Sequence, residues 1–320
     1  MESLTVQEAA HDNAAGYWRA QARALGLQTR SAASWVAVRC AGNGPDSHRV
    51  VVTRPYPDAA ALAAELAALH REWGNGPLCV EDAYGRLDLA PYGFEAALPQ
   101  AVMVREPDRT VSCPAPPASA AAASAAAACV AAASAAGAVA GKSYESRGFR
   151  ESRGFRGFRG FRGFRDPGES RDPGESREAI AVREALDADG LAIVERTVVE
   201  GFPLPGRLPW RRAALLPPAL LDQPGLRFWE VRRDGAAAGA CVSYDDGVSV
   251  GLYWVTTLPE HRFRGLARAL LETVIAAHPG RPAVLTATLQ GEPLYRRLGF
   301  TERALSRWWR SQAAPTGAGR

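Results

Sequence analysis

The chain has 320 residues, long for one domain, and 47% of them are hydrophobic, which is ample for two cores. Its net charge of +4 comes from one segment, residues 147–165, which hold seven Arg and one Glu. The other 31 basic and 33 acidic residues sum to −2. The charge therefore excludes a general affinity for nucleic acid. The five cysteines are scattered and form no Cys-x-x-Cys motif, which excludes a zinc site of that type and a disulfide framework. Together with an N-terminus that lacks a secretory signal, they predict a reducing, cytoplasmic setting.

Residues 1–107 are predicted to form a small α/β domain. Apolar residues at helical spacing indicate a helix over 6–25 that ends at Gly26, and Asp58 is a suitable cap for a second helix over 59–73. Short runs rich in Val and Trp, separated by Gly, Pro, Asn and Asp, are typical of strands. These predicted strands are residues 34–40, 49–53, 78–81 and 101–105.

Residues 108–178 are predicted to be a disordered linker. An Ala/Ser-rich tract over 118–140 is long enough to span a bilayer, but its residues supply little transfer energy, so a linker is favoured over a membrane anchor. Tandem Gly-Phe-Arg and Asp-Pro-Gly-Glu-Ser-Arg units over 145–177 offer no large apolar residue except Phe, too little to offset the entropy of ordering. RNA binding by the Arg-Gly-Phe repeats is the alternative, which their shortness and regularity disfavour.

The next segment, 179–311, reads as a second α/β domain, and residues 312–320 as a tail. A strand over 180–184 precedes Asp187 and Asp189 and a helix over 190–200. Residues 201–223 hold five prolines with Phe202 and Trp210. Three strand-like runs follow, over 227–232, 238–244 and 248–255, joined by Asp/Gly turns as in an antiparallel meander.

Two motifs follow the meander. Arg262-x-x-Gly265-x-Ala267 lies between the strand and a helix that begins at Leu266, where free N–H groups and nearby Arg side chains favour a phosphate-bearing ligand. The alternative is an ordinary turn with a solvated basic helix start. After a further strand over 283–287 comes Leu294-Tyr295-x-x-Leu298-Gly299-Phe300.

Together and in this order, the motifs resemble those of the GNAT family of N-acetyltransferases. The resemblance covers residues 179–311. It implies the α/β (α+β) GNAT fold, a mixed and mostly antiparallel sheet flanked by helices, here preceded by a smaller α/β domain and the disordered linker. It also implies that residues 201–223 cover the acceptor side of the cleft, with packing of Phe202 and Trp210 on the core as the alternative.

The resemblance also implies site residues. Tyr295 matches the family's general acid, with a buried structural Tyr as the alternative; Thr288 replaces the Asn that the family often has. No base is identified: Glu200, Glu230, Asp245, Tyr253 and a water relay stay open. The residues expected to bind the acyl-CoA are Trp254, Val255, Thr256, Arg262, Phe263, Arg264, Gly265, Leu266, Ala267 and Thr288.

The function implied is acetyl transfer from acetyl-CoA to a primary amine by direct attack, with no metal. The acceptor is a small-molecule or peptide amine, and a homodimer is compatible with the sequence. A non-catalytic acyl-CoA-binding or regulatory protein is the alternative, since the central strand lacks a carboxylate. Gly93-Phe94 and Gly299-Phe300 begin similar stretches, so the N-terminal domain is either a shortened, degenerate copy of the GNAT fold or a structural partner.

Overall fold

The computed structural model describes residues 5–40, 48–74, 76–107, 179–202, 204 and 206–311. The predicted linker over 108–178, with its Ala/Ser-rich tract and repeats, and the predicted tail over 312–320 lie outside the described residues. Within the described ranges, no helix has the length and apolar character needed to cross a membrane.

Capping residues fix several of the helix ends. Thr5 forms a capping box with Glu8 at the start of α1, and left-handed Gly26 ends that helix. Asp58 caps α2 and Asp187 caps α3. The helices are α1 (Val6–Leu25), α2 (Ala59–Trp73), α3 (Ala188–Gly201), α4 (Leu266–Ala276) and α5 (Glu292–Arg297), with 3-10 turns at Ala90–Tyr92, Pro218–Leu220 and Pro259–His261.

The twelve strands of the described ranges form one continuous sheet. The strands are β1 (Gln28–Ser31), β2 (Trp35–Arg39), β3 (His48–Val52), β4 (Leu78–Asp82), β5 (Phe94–Ala96), β6 (Gln100–Arg105), β7 (Ile180–Glu184), β8 (Leu226–Arg233), β9 (Ala236–Asp245), β10 (Val250–Thr257), β11 (Ala283–Ala287) and β12 (Thr301–Ser311). Their order is β1-β2-β3-β4-β12-β6-β11-β10-β9-β8-β7, and β5 pairs with β12 outside this path. The predicted mixed sheet flanked by helices is therefore observed.

The two halves of the chain exchange strands at the centre of this sheet. Strand β6, from the first half, pairs antiparallel with β11 in the register Leu285↔Met103. Strand β12, from the second half, pairs with β6 over its first part and with β4 over its last part, where Trp309 lies opposite Val80. The sheet therefore continues across the expected boundaries at 107 and 179. Each half supplies a strand to the other, and without that strand the other half would have an unpaired edge.

Each half repeats one arrangement. In the first, β1, β2 and β3 are antiparallel neighbours and β3 runs parallel to β4, with α2 between them in sequence. In the second, β8, β9 and β10 are antiparallel neighbours and β10 runs parallel to β11, with α4 between them. This repetition supports the interpretation of residues 1–107 as a copy of the same fold.

Helix α1 belongs to the first half in sequence but packs on both. Ala15 joins an apolar cluster with Val36 and Val51 of the first half. Tyr17 lies in a different cluster that contains Val194 of α3 and Tyr244 of β9. The opposite face of the second half is covered by α4 and α5, whose apolar side chains pack against β9, β10 and β11.

Candidate functional site

Strands β10 and β11 separate soon after they begin. They pair only at Val250↔Ala283 and Gly251↔Val284, although β10 continues to Thr257. The pairing of β10 with β9 shifts register between Tyr253 and Thr256, which is a bulge. Backbone groups of residues 252–257 on the side toward β11 therefore face no strand, and an extended ligand could bind along them.

Trp254, at the bulge, has a left-handed backbone with φ of 53°. Such a conformation is rare for a bulky residue and costs roughly 1–3 kcal/mol, so the surroundings must hold it. The Trp254 indole is half-buried, lies edge-on to Phe202 at 5.8 Å and donates from Nε1 to the Tyr17 hydroxyl at 2.7 Å. Phe202 thus packs beside the bulge rather than in a separate part of the core.

The next two residues of β10 point to opposite faces. Val255 packs against the apolar cluster under α4 and α5. Thr256 is buried beneath the end of α3, where Gly201 approaches so closely that a Cβ would collide with the Thr256 hydroxyl. What residues 254–256 could present to a ligand is their backbone.

The loop between β10 and α4 presents amide groups without a capping side chain. Gly265, the N-cap of α4, has φ of 78° and no side chain to accept from the first-turn amides. Leu266 is fully buried and fixes the helix to the core, while Ala267 is half-buried. The helix dipole and these amides favour an anion at this point.

The basic and aromatic residues of the loop have different surroundings. Arg262 donates from Nε to the Thr257 carbonyl at 3.1 Å and from Nη2 to the Gly201 carbonyl at 3.4 Å, so it ties the loop to β10 and α3. Phe263 has a left-handed backbone with φ of 62° and a fully exposed ring. Arg264 is exposed, and Arg268 pairs with Glu272 at 2.8 Å one turn along α4.

Tyr295 lies in the apolar cluster on the α4 and α5 face, together with Leu252 of β10 and Leu285 of β11. It is 7% exposed, and its ring packs against Phe300 at 5.9 Å. Burial raises the pKa of the Tyr295 phenol, and the buried Cys241 thiol adds to the rise. The phenol is therefore protonated at neutral pH, as a proton donor must be.

Thr288, which we expected at the cofactor arm, is exposed and has a local contact. Its hydroxyl accepts from the Gly291 amide at 3.2 Å in the turn that leads into α5. The same turn is closed by the Gly291 amide bonding to the Thr288 carbonyl at 2.9 Å. The Thr288 hydroxyl therefore helps to close the turn before α5, and its expected contact with the acyl-CoA stays a prediction.

The four side chains considered as bases all have partners. Glu200 pairs with Arg196 at 2.8 Å, and Glu230 is buried and pairs with Arg232 at 2.8 Å. Asp245 pairs with Arg281 at 3.3 Å. Tyr253 donates to Asn13 Oδ1 at 2.7 Å, and burial raises the pKa of its phenol well above the ordinary value, which disfavours it as a base.

Glu195 of α3 holds the segment that the resemblance places on the acceptor side. Its carboxylate is fully buried and accepts from Trp210 Nε1 at 3.1 Å and from the backbone amides of Ala213, Leu215 and Leu216 at 2.8, 2.6 and 2.9 Å. Sequence reasoning missed this residue. The signal was a Glu among the apolar helix positions Leu191, Val194 and Val198.

A metal is not indicated by the described residues, among which no group of three or more His, Cys, Asp or Glu side chains could hold an ion. The buried thiols of Cys79 and Cys241 form no disulfide.

Comparisons with known proteins address the fold and the family. Residues 224–302 match the family model of the acetyltransferase (GNAT) domain. No curated protein sequence matches the chain. A GCN5-related N-acetyltransferase from Kribbella flavida is similar in structure with a TM-score of 0.51 and 14% identity, over 95% of this chain and 96% of that one.

Two further solved structures have the same fold. A GCN5-related N-acetyltransferase from Sphaerobacter thermophilus has a TM-score of 0.50 and 16% identity, over 96% of this chain and 90% of that one. A functionally unknown conserved protein from Staphylococcus epidermidis has a TM-score of 0.50 and 9% identity, over 89% and 93%. The resemblance predicted from the two motifs is therefore confirmed: the C-terminal half carries a match to the GNAT domain, and the chain has the fold of GNAT N-acetyltransferases.

Proposed function

We propose that this protein is an N-acetyltransferase that transfers the acetyl group of acetyl-CoA to a primary amine by direct attack. The family match supports acyl transfer in general. The observation that carries the finer proposal is the separation of β10 and β11 directly before a helix whose first amides lack a capping side chain. An extended thioester with a pyrophosphate at one end fits that combination.

In this proposal the loop from Arg262 to Ala267 binds the pyrophosphate. The amides at the start of α4 and the charge of Arg264 and Arg268 attract it, and Gly265 leaves room because nothing lies within 4 Å of where its Cβ would be. The backbone of residues 254–256 binds the pantetheine arm, since it lies beyond the last β10–β11 pair. The thioester would then lie between the two strands.

The chemistry asks little of the protein beyond alignment and proton transfer. The amine forms a C–N bond at the thioester carbonyl as the C–S bond breaks, and the sulfur leaves as a thiolate that needs a proton. Tyr295 supplies it, because its phenol is protonated at neutral pH and its side chain packs with Leu252 and Leu285 of the diverging strands. The ammonium proton leaves through water, because the four candidate side-chain bases have partners.

A second function, acyl-CoA binding without transfer, is favoured by one observation. Each of the four candidate bases is held in an ion pair or hydrogen bond. A protein that only binds acyl-CoA needs no side chain to accept a proton from an amine. The two functions share the cofactor loop and differ in whether any amine is turned over. Steady release of CoA in the presence of an amine separates them.

The first experiment is calorimetry with acetyl-CoA on the wild type, Gly265→Glu and Gly280→Glu. Both glycines have left-handed backbones, with φ of 78° and 76°, and neither has an atom within 4 Å of a Cβ. The two variants therefore share the same backbone strain, added bulk and added charge. Only Gly265→Glu places the new side chain in the loop between β10 and α4. We expect binding to be lost in Gly265→Glu and kept in Gly280→Glu.

No binding by a folded wild type would overturn both functions. Equal loss in the two variants would show that the loop is not the binding site. If the wild type binds, a screen of small-molecule and peptide amines for CoA release tests the transfer.

A further inference from the structure

A side chain from the first half of the chain contacts the bulge in β10. The Tyr17 hydroxyl of α1 accepts from Trp254 Nε1 at 2.7 Å. The Tyr17 ring also stacks on that of Tyr253, with centroids 3.9 Å apart and planes 8° from parallel. Tyr17 is 1% exposed, so it reaches the bulge from inside the protein and not from the ligand side.

Asn13, one turn earlier on α1, anchors the same helix to the β9–β10 hairpin. Its Nδ2 donates to the carbonyls of Tyr244 and Ser249 at 3.1 Å each, and its Oδ1 accepts from the Tyr253 hydroxyl at 2.7 Å. Gly251 has no room for a Cβ beside Asn13 Oδ1. These contacts fix the position of Tyr17 relative to β10.

The bulge needs such support. Trp254 has a backbone conformation that is unfavourable for a large side chain, and it persists only where its surroundings determine it. On one side the indole is edge-on to Phe202 of the second half, and its only polar atom bonds to Tyr17. The hydroxyl of Tyr17 is therefore the polar contact that fixes the orientation of the Trp254 indole. Through the indole it fixes the direction of the backbone at residues 254–256.

We propose that Tyr17 is a positioning residue of the acyl-transfer site, through which the N-terminal half holds the β10 bulge in the shape that aligns the thioester. This inference rests on the proposed function for its catalytic consequence. Its structural part, that Tyr17 holds the bulge, stands on the contacts alone. The N-terminal half would then be part of the catalytic apparatus.

The test compares Tyr17→Phe with a matched variant, Tyr56→Phe. Each change removes one buried phenol hydroxyl, and Tyr56 donates to Asp82 Oδ1 at 3.0 Å in the core of the first half. We expect Tyr17→Phe to speed hydrogen exchange of the peptide covering residues 250–257 by at least about tenfold, and Tyr56→Phe to leave that peptide unchanged. For an accepted amine, kcat should fall by on the order of 10- to 100-fold in Tyr17→Phe alone, with the KM for acetyl-CoA within about threefold of wild type.

A double-mutant cycle with Trp254→Phe identifies the route. If Tyr17 acts through the indole N–H, then adding Tyr17→Phe to Trp254→Phe should change kcat by less than about twofold. A full additional loss in that background would overturn the proposed route.

Failure of this inference is distinct from failure of the proposed function. A wild type that does not bind acetyl-CoA ends the proposed function, while the exchange measurement still decides whether Tyr17 holds the bulge. A wild type that turns over, with Tyr17→Phe and Tyr56→Phe alike in kcat and in exchange of residues 250–257, overturns the inference and leaves the function intact.

Discussion

The two parallel strand pairs of the sheet share a topology and differ in what they leave open. Strands β3 and β4 stay paired at four successive positions, from His48↔Leu78 to Val51↔Glu81. Strands β10 and β11 pair at two and then separate. Over these paired residues β3 and β4 therefore leave no gap between them, while β10 exposes its backbone beyond Gly251.

The helices that follow β3 and β10 differ at their N-cap residue. Asp58 caps α2 and accepts from the Ala61 amide at 2.9 Å, so an acidic side chain already occupies the anion position. Gly265 at the start of α4 contributes no side chain, and Arg residues surround it. A phosphate would be repelled at α2 and attracted at α4.

A third difference lies at the corresponding positions Leu89 and Tyr295. Each precedes a left-handed glycine, Gly93 or Gly299, and each carbonyl accepts from a following Phe amide, at 3.3 Å from Phe94 and 3.0 Å from Phe300. Leu89 is a fully buried core residue, and Tyr295 brings a phenol to the same place. The same strand arrangement thus occurs once with and once without the features proposed for chemistry, so the proposed function depends on the site and not on the fold.

The largest effect should come from separating the two halves of the chain. We expect residues 179–320 expressed alone to fail to fold, because β6 is missing and β11 and β12 lose the strand between them. Coexpression with residues 1–113 should restore a soluble 1:1 complex. Gel filtration and circular dichroism measure this, and a monomeric 179–320 fragment with cooperative unfolding would contradict it.

Exchanging the helix caps should separate binding from stability. Gly265→Asp places a carboxylate at the N-cap of α4, where α2 has Asp58, and the new charge should weaken acetyl-CoA binding by about 100-fold. Gly265→Asn has the same shape without charge and tolerates the left-handed backbone, so we expect it to bind much better than the Asp variant. In the other unit, Asp58→Ala should cost about 1 kcal/mol of unfolding free energy and leave the affinity unchanged.

Calorimetry and urea unfolding of these three variants check the expectation. An equal affinity loss in Gly265→Asp and Gly265→Asn would mean that shape, not charge, governs the loop.

Removing the hydroxyl group of Tyr295, which Leu89 lacks, should lower the turnover rate and leave acetyl-CoA binding unchanged. Tyr295→Phe keeps the ring against Phe300 and removes the donor, so the turnover rate should fall by about 100-fold with the acetyl-CoA affinity unchanged. Because Leu89 shows that an apolar side chain fits at the corresponding place, the variant should fold. Steady-state kinetics measure the loss, and an unchanged rate would assign Tyr295 a purely structural role.

Local features of the molecule were predictable from the sequence. The helix bounds follow from capping residues such as Asp58 and Asp187 and from the stop at Gly26, whose effects extend over a few residues. The Arg262 to Ala267 loop is equally local, since a strand, a glycine turn and an apolar helix follow one another in the chain. The positions of these elements agree with the predictions to within one or two residues.

Contacts between distant residues were not predictable. Nothing in residues 100–105 indicates that they pair with β11 rather than close the first half, because strand periodicity does not name a partner. The bonds of Arg262 to the Gly201 carbonyl and of Tyr17 to Trp254 join residues 61 and 237 positions apart. The short strand β1, without apolar alternation, was missed for the related reason that pairing with β2 and not its own pattern makes it a strand.

The last effect, on stability alone, concerns α1, the helix that packs on both halves of the chain. His11 is buried, its Nε2 has no hydrogen-bond partner among the described residues, and burial lowers the pKa of its imidazole to about 4. The unfolded chain takes up a proton near pH 6.5 and the folded protein does not until about pH 4, so stability is full above pH 6.5 and falls as the pH drops toward 4. Between pH 8 and 5 this amounts to about 2 kcal/mol.

Urea unfolding of the wild type and of His11→Leu at pH 8, 6.5 and 5 measures this difference. The variant should lose less free energy on acidification, by about 2 kcal/mol, because it no longer has a group that must stay neutral to remain buried. His278 also has a lowered pKa through burial, so some acid sensitivity should persist in the variant. Equal losses in the two proteins would mean that His11 is protonated in the folded state, and that α1 moves enough to hydrate it while the two units remain joined by β6 and β12.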